Sequence, residues 1–291
     1  MTDTSNSEIS RRSALRGLGL AGLAGAASMA ATATSAVSAG SEKPLAGKVA
    51  VVTGARNNMG RAFSVGLAEL GADVMVHYHR EETRAEAQET ADMVQAQGVR
   101  AALASGDLGD SSVVSDLYDS ANLTFGGVDI AVHTAGRIIK KPIGDFTDED
   151  FAQLQNDNTA TTFFSMREAA RRLRDGGRII NVGTSLTAGT APGYAGYAGT
   201  KAPVEEFTRI LARELGPRRI TVNTIAPGPV DTPFFHGAET PQTAAYAAGL
   251  SVEGRLGTVE DLTPLVQFLA SSDSQWVNGQ NLFVNGGYLT R

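Results

Sequence analysis

The sequence contains no cysteine among its 291 residues. This absence excludes disulfide bonds, catalytic thiolates and cysteine-based zinc sites. Histidine is also scarce, with four scattered residues, so we expect no metal site. Acidic residues outnumber basic ones by 31 to 25, and the resulting net charge of −6 argues against a nucleic-acid-binding protein.

The apolar content is that of a globular protein. Hydrophobic residues make up 42% of the chain and charged residues 19%, which supports a sizeable core and excludes a wholly disordered chain. The part that follows position 39 has a normal length for one α/β domain. We therefore expect one folded domain over residues 45–291.

The first 39 residues differ from the rest and resemble an export signal. Arg11 and Arg12 precede a Gly/Ala-rich stretch at 17–31, which is too weakly apolar to anchor the chain stably in a membrane. Small residues ending at Ala39 suit a signal peptidase. The pattern predicts a twin-arginine-like signal peptide over residues 1–39 and an exported, periplasmic protein. The alternative is a low-complexity tail on a cytoplasmic protein.

Seven short apolar runs alternate with segments of helical period. The predicted strands are 49–52, 72–77, 99–104, 128–132, 178–182, 220–225 and 281–284. The predicted helices are 61–70, 82–97, 111–125, 148–173 and 197–215. Apolar strands joined by helices are typical of a parallel sheet with helices on both faces. The sequence therefore predicts an α/β fold with a doubly wound, parallel, seven-stranded, Rossmann-type sheet in a single domain.

A glycine-containing loop joins the first predicted strand to the first predicted helix. Gly54 follows the strand and Gly60 opens the helix, with Arg56, Asn58 and Met59 between them. Glycines let backbone N–H groups approach a pyrophosphate, and the helix N-terminus adds a positive partial charge. In the first βα turn of a doubly wound sheet this arrangement predicts a dinucleotide site. A simple tight turn is the alternative.

Tyr197 and Lys201 lie four residues apart at the start of a predicted helix, and hence on one face of it. Reduction of a carbonyl group needs an acid that protonates the developing alkoxide. A free tyrosine has a pKa of about 10, and a nearby cation lowers that pKa. The pair is therefore a candidate acid with its activating cation, although the same spacing also occurs in purely structural helices.

Together these motifs resemble the short-chain dehydrogenase/reductase family over residues 45–291. The loop is similar to the family's Thr-Gly-x-x-x-Gly-x-Gly pattern, with Asn58 in place of the middle glycine. Asparagine tolerates left-handed backbone angles better than most residues. Tyr197 and Lys201 match the family's Tyr-x-x-x-Lys motif. The resemblance implies an NAD(P)-binding domain and an oxidoreductase that transfers a hydride.

The resemblance also implies two further catalytic residues. At the position of the family's serine this chain has Thr184, whose hydroxyl offers the same hydrogen bond, and the neighbouring Ser185 is the alternative. Asn158 matches the family's asparagine, which holds a water beside the lysine. Phe151, Leu154 and Asn158 share one face of the predicted helix, so Asn158 is expected to face the sheet.

Cofactor contacts are expected at the carboxyl ends of the strands. The resemblance implies that Asp107 meets the adenine, Thr232 the carboxamide or a phosphate, and Lys201 the nicotinamide ribose. His133 and Thr134 replace two asparagines of the family, and His133 is expected to be structural. The complete predicted cofactor set is Gly54, Arg56, Asn58, Met59, Gly60, His79, Arg80, Asp107, Leu108, Ala135, Gly136, Tyr197, Lys201, Pro227, Gly228, Val230 and Thr232.

The end of the second strand bears on the choice between NADP(H) and NAD(H). Tyr78 stands near the position of the acid that binds the ribose in NAD enzymes. Arg80 follows, and a guanidinium pairs well with a 2′-phosphate, with Arg56 as a second candidate. The run 77–80 also resembles that of pteridine reductases, which use NADPH. The sequence predicts NADP(H), with NAD(H) as the alternative if the acidic residues 81–82 turn toward the phosphate.

The predicted function is hydride transfer between NADP(H) and a small-molecule carbonyl or alcohol substrate. The segment 233–256 is aromatic and has no lysine or arginine before Arg255, which favours an apolar or neutral substrate. The alternatives are a 3-oxoacyl-carrier-protein reductase and a non-catalytic NADP-binding protein on the same fold. The last strand and residues 259–270 resemble surfaces that build tetramers in the family, so a homotetramer or homodimer is expected.

Overall fold

A computed structural model describes residues 43–290 of the chain. The predicted signal peptide, residues 1–39, lies outside the described residues. Within residues 43–290 no helix combines the length and the apolar character needed to cross a lipid bilayer. The same residues contain no group of histidine and acidic side chains arranged to hold a metal ion.

The strands and helices alternate along the chain. The strands are β1 Val49–Thr53, β2 Asp73–Tyr78, β3 Ala101–Ser105, β4 Val128–His133, β5 Leu173–Val182, β6 Thr221–Pro227 and β7 Asn281–Val284. The α-helices are α1 Asn58–Glu69, α2 Arg84–Gln95, α3 Ser111–Phe125, α4 Asp148–Leu154, α5 Thr161–Arg172, α6 Ala195–Lys201, α7 Pro203–Glu214, α8 Pro233–His236, α9 Pro241–Gly249 and α10 Val259–Ala270. All seven predicted strands are confirmed.

The strands form one parallel sheet in the order β3-β2-β1-β4-β5-β6-β7. The chain moves outward from β1 in one direction to β3, and then returns to start β4 on the other side of β1. The point between β1 and β4 is therefore the topological switch point, and ligands of such sheets bind outside the carboxyl ends of the strands there. The predicted fold class is confirmed.

The sheet separates two hydrophobic cores because successive side chains of a strand point to opposite faces. Along β1, Ala50 and Val52 join the core formed with α1, α2 and α10. Val49 and Val51 join the core formed with α3, α5 and α7. Burial on both faces explains why the strand reads as a continuous apolar run and not as an alternating one.

The helix boundaries follow local chemistry. Asp110 caps α3 by accepting a hydrogen bond from the backbone N–H of Ser112, at 2.8 Å. The same helix ends at Gly126, whose φ of 85° lies in the left-handed region that favours glycine. Thr147 and Asp150 form a reciprocal capping box at the start of α4.

Two predicted helices are divided in the structure. The prediction over 148–173 is replaced by α4, a π-helical turn at Gln155–Ala160, α5 and the first residue of β5. The prediction over 197–215 is replaced by α6 and α7, which begins at Pro203. Proline has no N–H to bond to the preceding turn, so it suits the first position of a new helix.

Candidate active site

Two adjoining cavities lie at the carboxyl ends of the strands. One has a volume of about 390 Å³ and the other about 250 Å³. Both are lined by Met59, Thr134, Gly136 and Phe234, so these residues mark the boundary between the cavities. The smaller cavity follows the ends of β1 to β4, and the larger one reaches β5, β6 and α9.

The loop between β1 and α1 forms a tight cradle in the smaller cavity. A Cβ atom added to Gly60 would lie 2.3 Å from the carbonyl oxygen of Gly54, so only glycine fits there. Asn58 has a φ of 49°, as expected for an asparagine that replaces a glycine in this turn. No side chain caps the N-terminus of α1 at Asn57, which leaves its N–H groups available for an anion. The loop therefore fits a pyrophosphate.

His77 also supports this loop, a role that sequence reasoning missed. Its Nδ1 accepts from the N–H of Gly54 at 3.3 Å, and its Nε2 lies 3.0 Å from the carbonyl oxygen of Gly106. Because the carbonyl only accepts, Nε2 carries the proton. Burial lowers the pKa of His77 to about 4, so the ring stays neutral and keeps this arrangement. The sequence signal for this role was the position of His77 on a buried strand beside the loop.

Most predicted adenosine-side residues line the smaller cavity. They are Gly54, Arg56, Asn58, Met59, Gly60, His79, Asp107, Leu108, Ala135 and Gly136. Arg80 does not line it: the residue is exposed and precedes a short 3₁₀ helix at Glu81–Thr83. The prediction that Arg80 binds the 2′-phosphate therefore stays a prediction. Arg56 faces the cavity and forms an ion pair with Glu86 of α2.

The two residues that replace the family's asparagines support the sheet. The hydroxyl of Thr134 donates to the carbonyl oxygen of Thr53, which ties β4 to β1. His133 Nδ1 lies 2.8 Å from Asn181 Oδ1, and burial lowers the pKa of His133 to about 4. His133 is therefore a neutral, hydrogen-bonded core residue, as predicted.

Thr184 and Tyr197 meet in the larger cavity. Both side chains are buried and both line the cavity, and the Thr184 hydroxyl is close enough to Tyr197 to act on the pKa of the phenol. Ser185 Oγ is used elsewhere, because it donates to the carbonyl oxygen of Ala226 at 2.9 Å and accepts from Asn285 Nδ2 at 3.2 Å. The geometry thus places Thr184, and not Ser185, beside the tyrosine.

The pKa of Tyr197 differs from the sequence expectation. Burial raises it to about 12, and the hydrogen bond with Thr184 acts in the opposite direction. Lys201 was expected to lower this pKa, but its Nζ donates to the carbonyl oxygen of Val182 at 3.0 Å. In the structure, therefore, the tyrosine is a protonated hydroxyl at neutral pH and is ready to donate.

Asn158 lies next to the lysine, within the π-helical turn. Its Oδ1 accepts from the N–H of Arg137 at 2.8 Å, and its Nδ2 donates to Thr200 Oγ1 at 3.0 Å. A Cβ atom on Gly136 would lie 2.9 Å from Asn158 Oδ1 and 3.1 Å from Lys201 Nζ, so both side chains pack against this glycine. Single π-turns inside helices are frequent at functional sites.

The remaining predicted residues frame the larger cavity. Pro227, Gly228, Val230 and Thr232 all line it, where β6 ends and leads into α8. The hydroxyl of Thr232 donates to the carbonyl oxygen of Val230 at 3.3 Å and caps α8 by accepting from Phe235. In this structure that hydroxyl therefore positions the loop instead of standing free for a carboxamide.

The burial of Lys201 has a measurable thermodynamic consequence. Burial lowers its pKa from 10.5 to about 8, so at neutral pH the buried ammonium destabilises the fold. At 1.36 kcal/mol per pKa unit this cost is about 3 kcal/mol. Lys201→Met loses the hydrogen bond to Val182, worth about 1 kcal/mol. We therefore expect this variant to have a higher melting temperature than the wild type at neutral pH.

The pH dependence tests this account. The unfolded chain holds the lysine proton more tightly, so the wild type regains stability as the pH rises from 8 toward 10.5. The difference in melting temperature between the variant and the wild type should shrink over that range. Lys141→Met, at a half-buried ion pair with Asp150, is the control and should show no such gain. A Lys201→Met protein that melts below the wild type at neutral pH would contradict the assigned cost.

Comparison with known proteins bears on the family of this chain. Residues 54–289 match the family model described as enoyl-(acyl carrier protein) reductase. An Arabidopsis thaliana protein named NADPH-dependent aldehyde reductase-like protein, chloroplastic, is 40% identical over 258 residues, which cover 84% of this chain and 96% of that protein. A short-chain type dehydrogenase/reductase from Picea abies is 41% identical over 255 residues, covering 84% and 93%.

A solved structure extends the comparison to the cofactor. A Burkholderia cenocepacia protein with bound NADP superposes with a TM-score of 0.83 at 38% identity, covering 86% of this chain and 96% of that one. The cradle at Gly60 and the uncapped N-terminus of α1 are what a dinucleotide requires. The chain therefore belongs to the short-chain dehydrogenase/reductase family and is an NADP(H)-dependent oxidoreductase.

Proposed function

We propose that this enzyme reduces the carbonyl group of a small aldehyde or ketone with NADPH, or oxidises the corresponding alcohol in reverse. The observation that carries the proposal is that the buried hydroxyl residues Thr184 and Tyr197 line the larger cavity together, next to the dinucleotide cleft. The name of the Arabidopsis relative supports an aldehyde substrate. The buried Lys201 and Asn158 complete the site.

Each side chain has a role that its contacts allow. NADPH, when bound, supplies the hydride that adds to the carbonyl carbon. Thr184 Oγ1 accepts a hydrogen bond from the N–H of Leu186, and its own hydrogen, which is directed to Tyr197 in the absence of substrate, is donated to the carbonyl oxygen when a substrate is bound. Tyr197 transfers its proton to the same oxygen as charge develops there, which yields the alcohol.

Lys201 and Asn158 have supporting roles in this proposal. The amino group of Lys201 lies beside Gly136, and in the proposed reaction it binds the nicotinamide ribose and returns a proton toward Tyr197. Asn158 holds the adjacent backbone through Arg137 and keeps α6 in place through Thr200. Of the basic side chains that line the smaller cavity, which also include His77 and Arg137, we assign Arg56 and His79 to the 2′-phosphate.

A survey of substrates tests the proposal. The purified enzyme should consume NADPH in the presence of aromatic aldehydes and ketones, and it should do so more efficiently than with NADH, as followed by NADPH absorbance. A 3-oxoacyl group on an acyl carrier protein is the comparison substrate, because the description of the matching family model names an acyl carrier protein. Turnover of the carrier-bound group alone would move the function to the carrier-protein reaction. Binding of NADPH without turnover of any carbonyl compound would support a non-catalytic role.

A further inference from the structure

One wall of the larger cavity carries a polar cluster of Lys140, Tyr194 and Glu239. Lys140 Nζ donates to Glu239 Oε2 at 2.5 Å, and the hydroxyl of Tyr194 donates to Glu239 Oε1. The Glu239 side chain is only 5% exposed and that of Lys140 is 22% exposed. All three residues line the cavity. A buried ion pair facing an otherwise mostly apolar cavity has a desolvation cost, which makes it a candidate for a binding function.

The cluster is ionised at neutral pH. Burial tends to raise the pKa of Glu239, but hydrogen bonds from Lys140, Thr243 and Tyr194 lower it below its usual value overall. Burial and the neighbouring Glu239 raise the pKa of Tyr194, so this phenol remains protonated. The cluster therefore combines a carboxylate, an ammonium and a neutral hydroxyl.

The position of the cluster relates it to the reacting group. The Tyr194 and Tyr197 rings have centroids 6.1 Å apart, in an edge-to-face arrangement. Lys140 Nζ lies 5.0 Å from the centroid of the Tyr194 ring. The cluster therefore lies beside Tyr197 on the wall of the larger cavity.

The cluster retains hydrogen-bonding capacity toward the cavity. An ammonium group has three N–H bonds, and the bond from Lys140 to Glu239 uses one of them. A carboxylate accepts at about four sites, and Lys140 and Tyr194 account for two of them on Glu239. A hydroxyl group can accept from Lys140 and donate to Glu239 at once, whereas an ether or a C–H group cannot.

We infer that Lys140 and Glu239 bind a hydroxyl group of the substrate, so that the enzyme prefers hydroxylated aldehydes and ketones. This inference rests on the proposed carbonyl reduction. An unsubstituted substrate displaces water from the ion pair and offers no hydrogen bonds in place of those that the water made. Sites that hydrogen-bond a substrate hydroxyl therefore discriminate against analogues that lack the hydroxyl. Sequence reasoning favoured an apolar or neutral substrate from the segment 233–256, and Lys140 lies outside that segment.

Matched substrates measure this preference. The pairs are para-hydroxybenzaldehyde with benzaldehyde, and para-hydroxyacetophenone with acetophenone, with the para-methoxy compounds as acceptors that cannot donate. We expect kcat/KM to be higher for the hydroxylated member of each pair by about tenfold to a hundredfold. The methoxy compounds should resemble the unsubstituted ones.

Variants separate substrate binding from a structural role. In Lys140→Met and Glu239→Gln the ratio of kcat/KM for the hydroxylated over the unsubstituted substrate should fall toward one. Lys141→Met is the matched control, since Lys141 is adjacent in sequence and pairs with Asp150 without lining the cavity, and it should leave the ratio unchanged.

The outcomes are distinct. If the wild type reduces both members of each pair equally well, the inference is wrong while the proposed function stands. If both variants lose activity on all substrates with an unchanged ratio, the cluster only holds the segment at Glu239 in place, and the inference is again wrong. If the wild type reduces none of these carbonyl compounds, the proposed function fails, and the inference falls with it.

Discussion

Tyr197→Phe should remove nearly all turnover of an aldehyde or ketone and leave NADPH binding unchanged. The substitution deletes one hydroxyl group and keeps the ring, which is buried in the cavity wall. Because burial raises the pKa of Tyr197 to about 12, the hydroxyl is protonated throughout the neutral range and available as an acid. A positioned general acid contributes about 10²–10⁴ to the rate, and kcat should fall by that factor.

Two measurements on the variant make this prediction specific. NADPH titration by fluorescence should give the wild-type dissociation constant, because the cradle around Gly54 and Gly60 is untouched. Tyr194→Phe is the control: it removes a hydroxyl from the same cavity, and it should keep turnover of benzaldehyde within about tenfold of wild type. If Tyr197→Phe also stayed within that range, the proton would come from another group.

The fold could be predicted because its strands have a strong local signal. Val49–Val52 and Val128–Val132 are buried on both faces, so neither segment alternates, and only Asp129 interrupts their apolar character. The start of β5 could not be predicted in this way. Leu173 belongs to the strand because it pairs with Val128 across the sheet, while the preceding arginines continue the helical pattern of α5. A long-range contact decides that boundary.

The site was partly predictable for a similar reason. Asn158 is fully buried as expected, but Phe151 is 51% exposed, although an ideal helix would place both on one face. The π-helical turn at Gln155–Ala160 contains more residues per turn and rotates the two side chains apart. The sequence of this segment has the period of an α-helix, so it does not predict the π-helical turn.

Contacts between distant segments were not predictable. Lys140 and Glu239 are 99 residues apart, and each is an ordinary charged residue in its own segment. The pairing of Arg56 with Glu86 and the exposure of Arg80 likewise depend on where α2 begins. Motifs of fixed spacing, such as Tyr197 and Lys201, carry their geometry within one helix, whereas these pairs exist only in the folded chain.

Thr184→Ala and Ser185→Ala should separate catalysis from stability in adjacent residues. Thr184 contacts Tyr197, so its loss should remove a hydrogen bond to the developing oxyanion and lower kcat by about 10²–10³. Ser185 is buried and holds Ala226 and Asn285. Its loss removes the donor to the carbonyl oxygen of Ala226 and one acceptor of Asn285, whose Nδ2 still donates to Leu289. This should destabilise the protein by about 1–3 kcal/mol with a smaller effect on kcat.

The comparison requires rates and unfolding free energies for both variants under the same conditions. Thr184→Ser keeps a hydroxyl at the required position and should recover most of the turnover that Thr184→Ala loses. The Thr184 hydroxyl also accepts from the N–H of Leu186, and losing that hydrogen bond should have only a modest effect on stability. A recovery of turnover in Thr184→Ser would therefore show that the hydroxyl acts on the substrate. If Ser185→Ala instead gave the larger fall in kcat with unchanged stability, the donor would be one residue later, and the loop would have to turn Ser185 away from Ala226 when substrate binds.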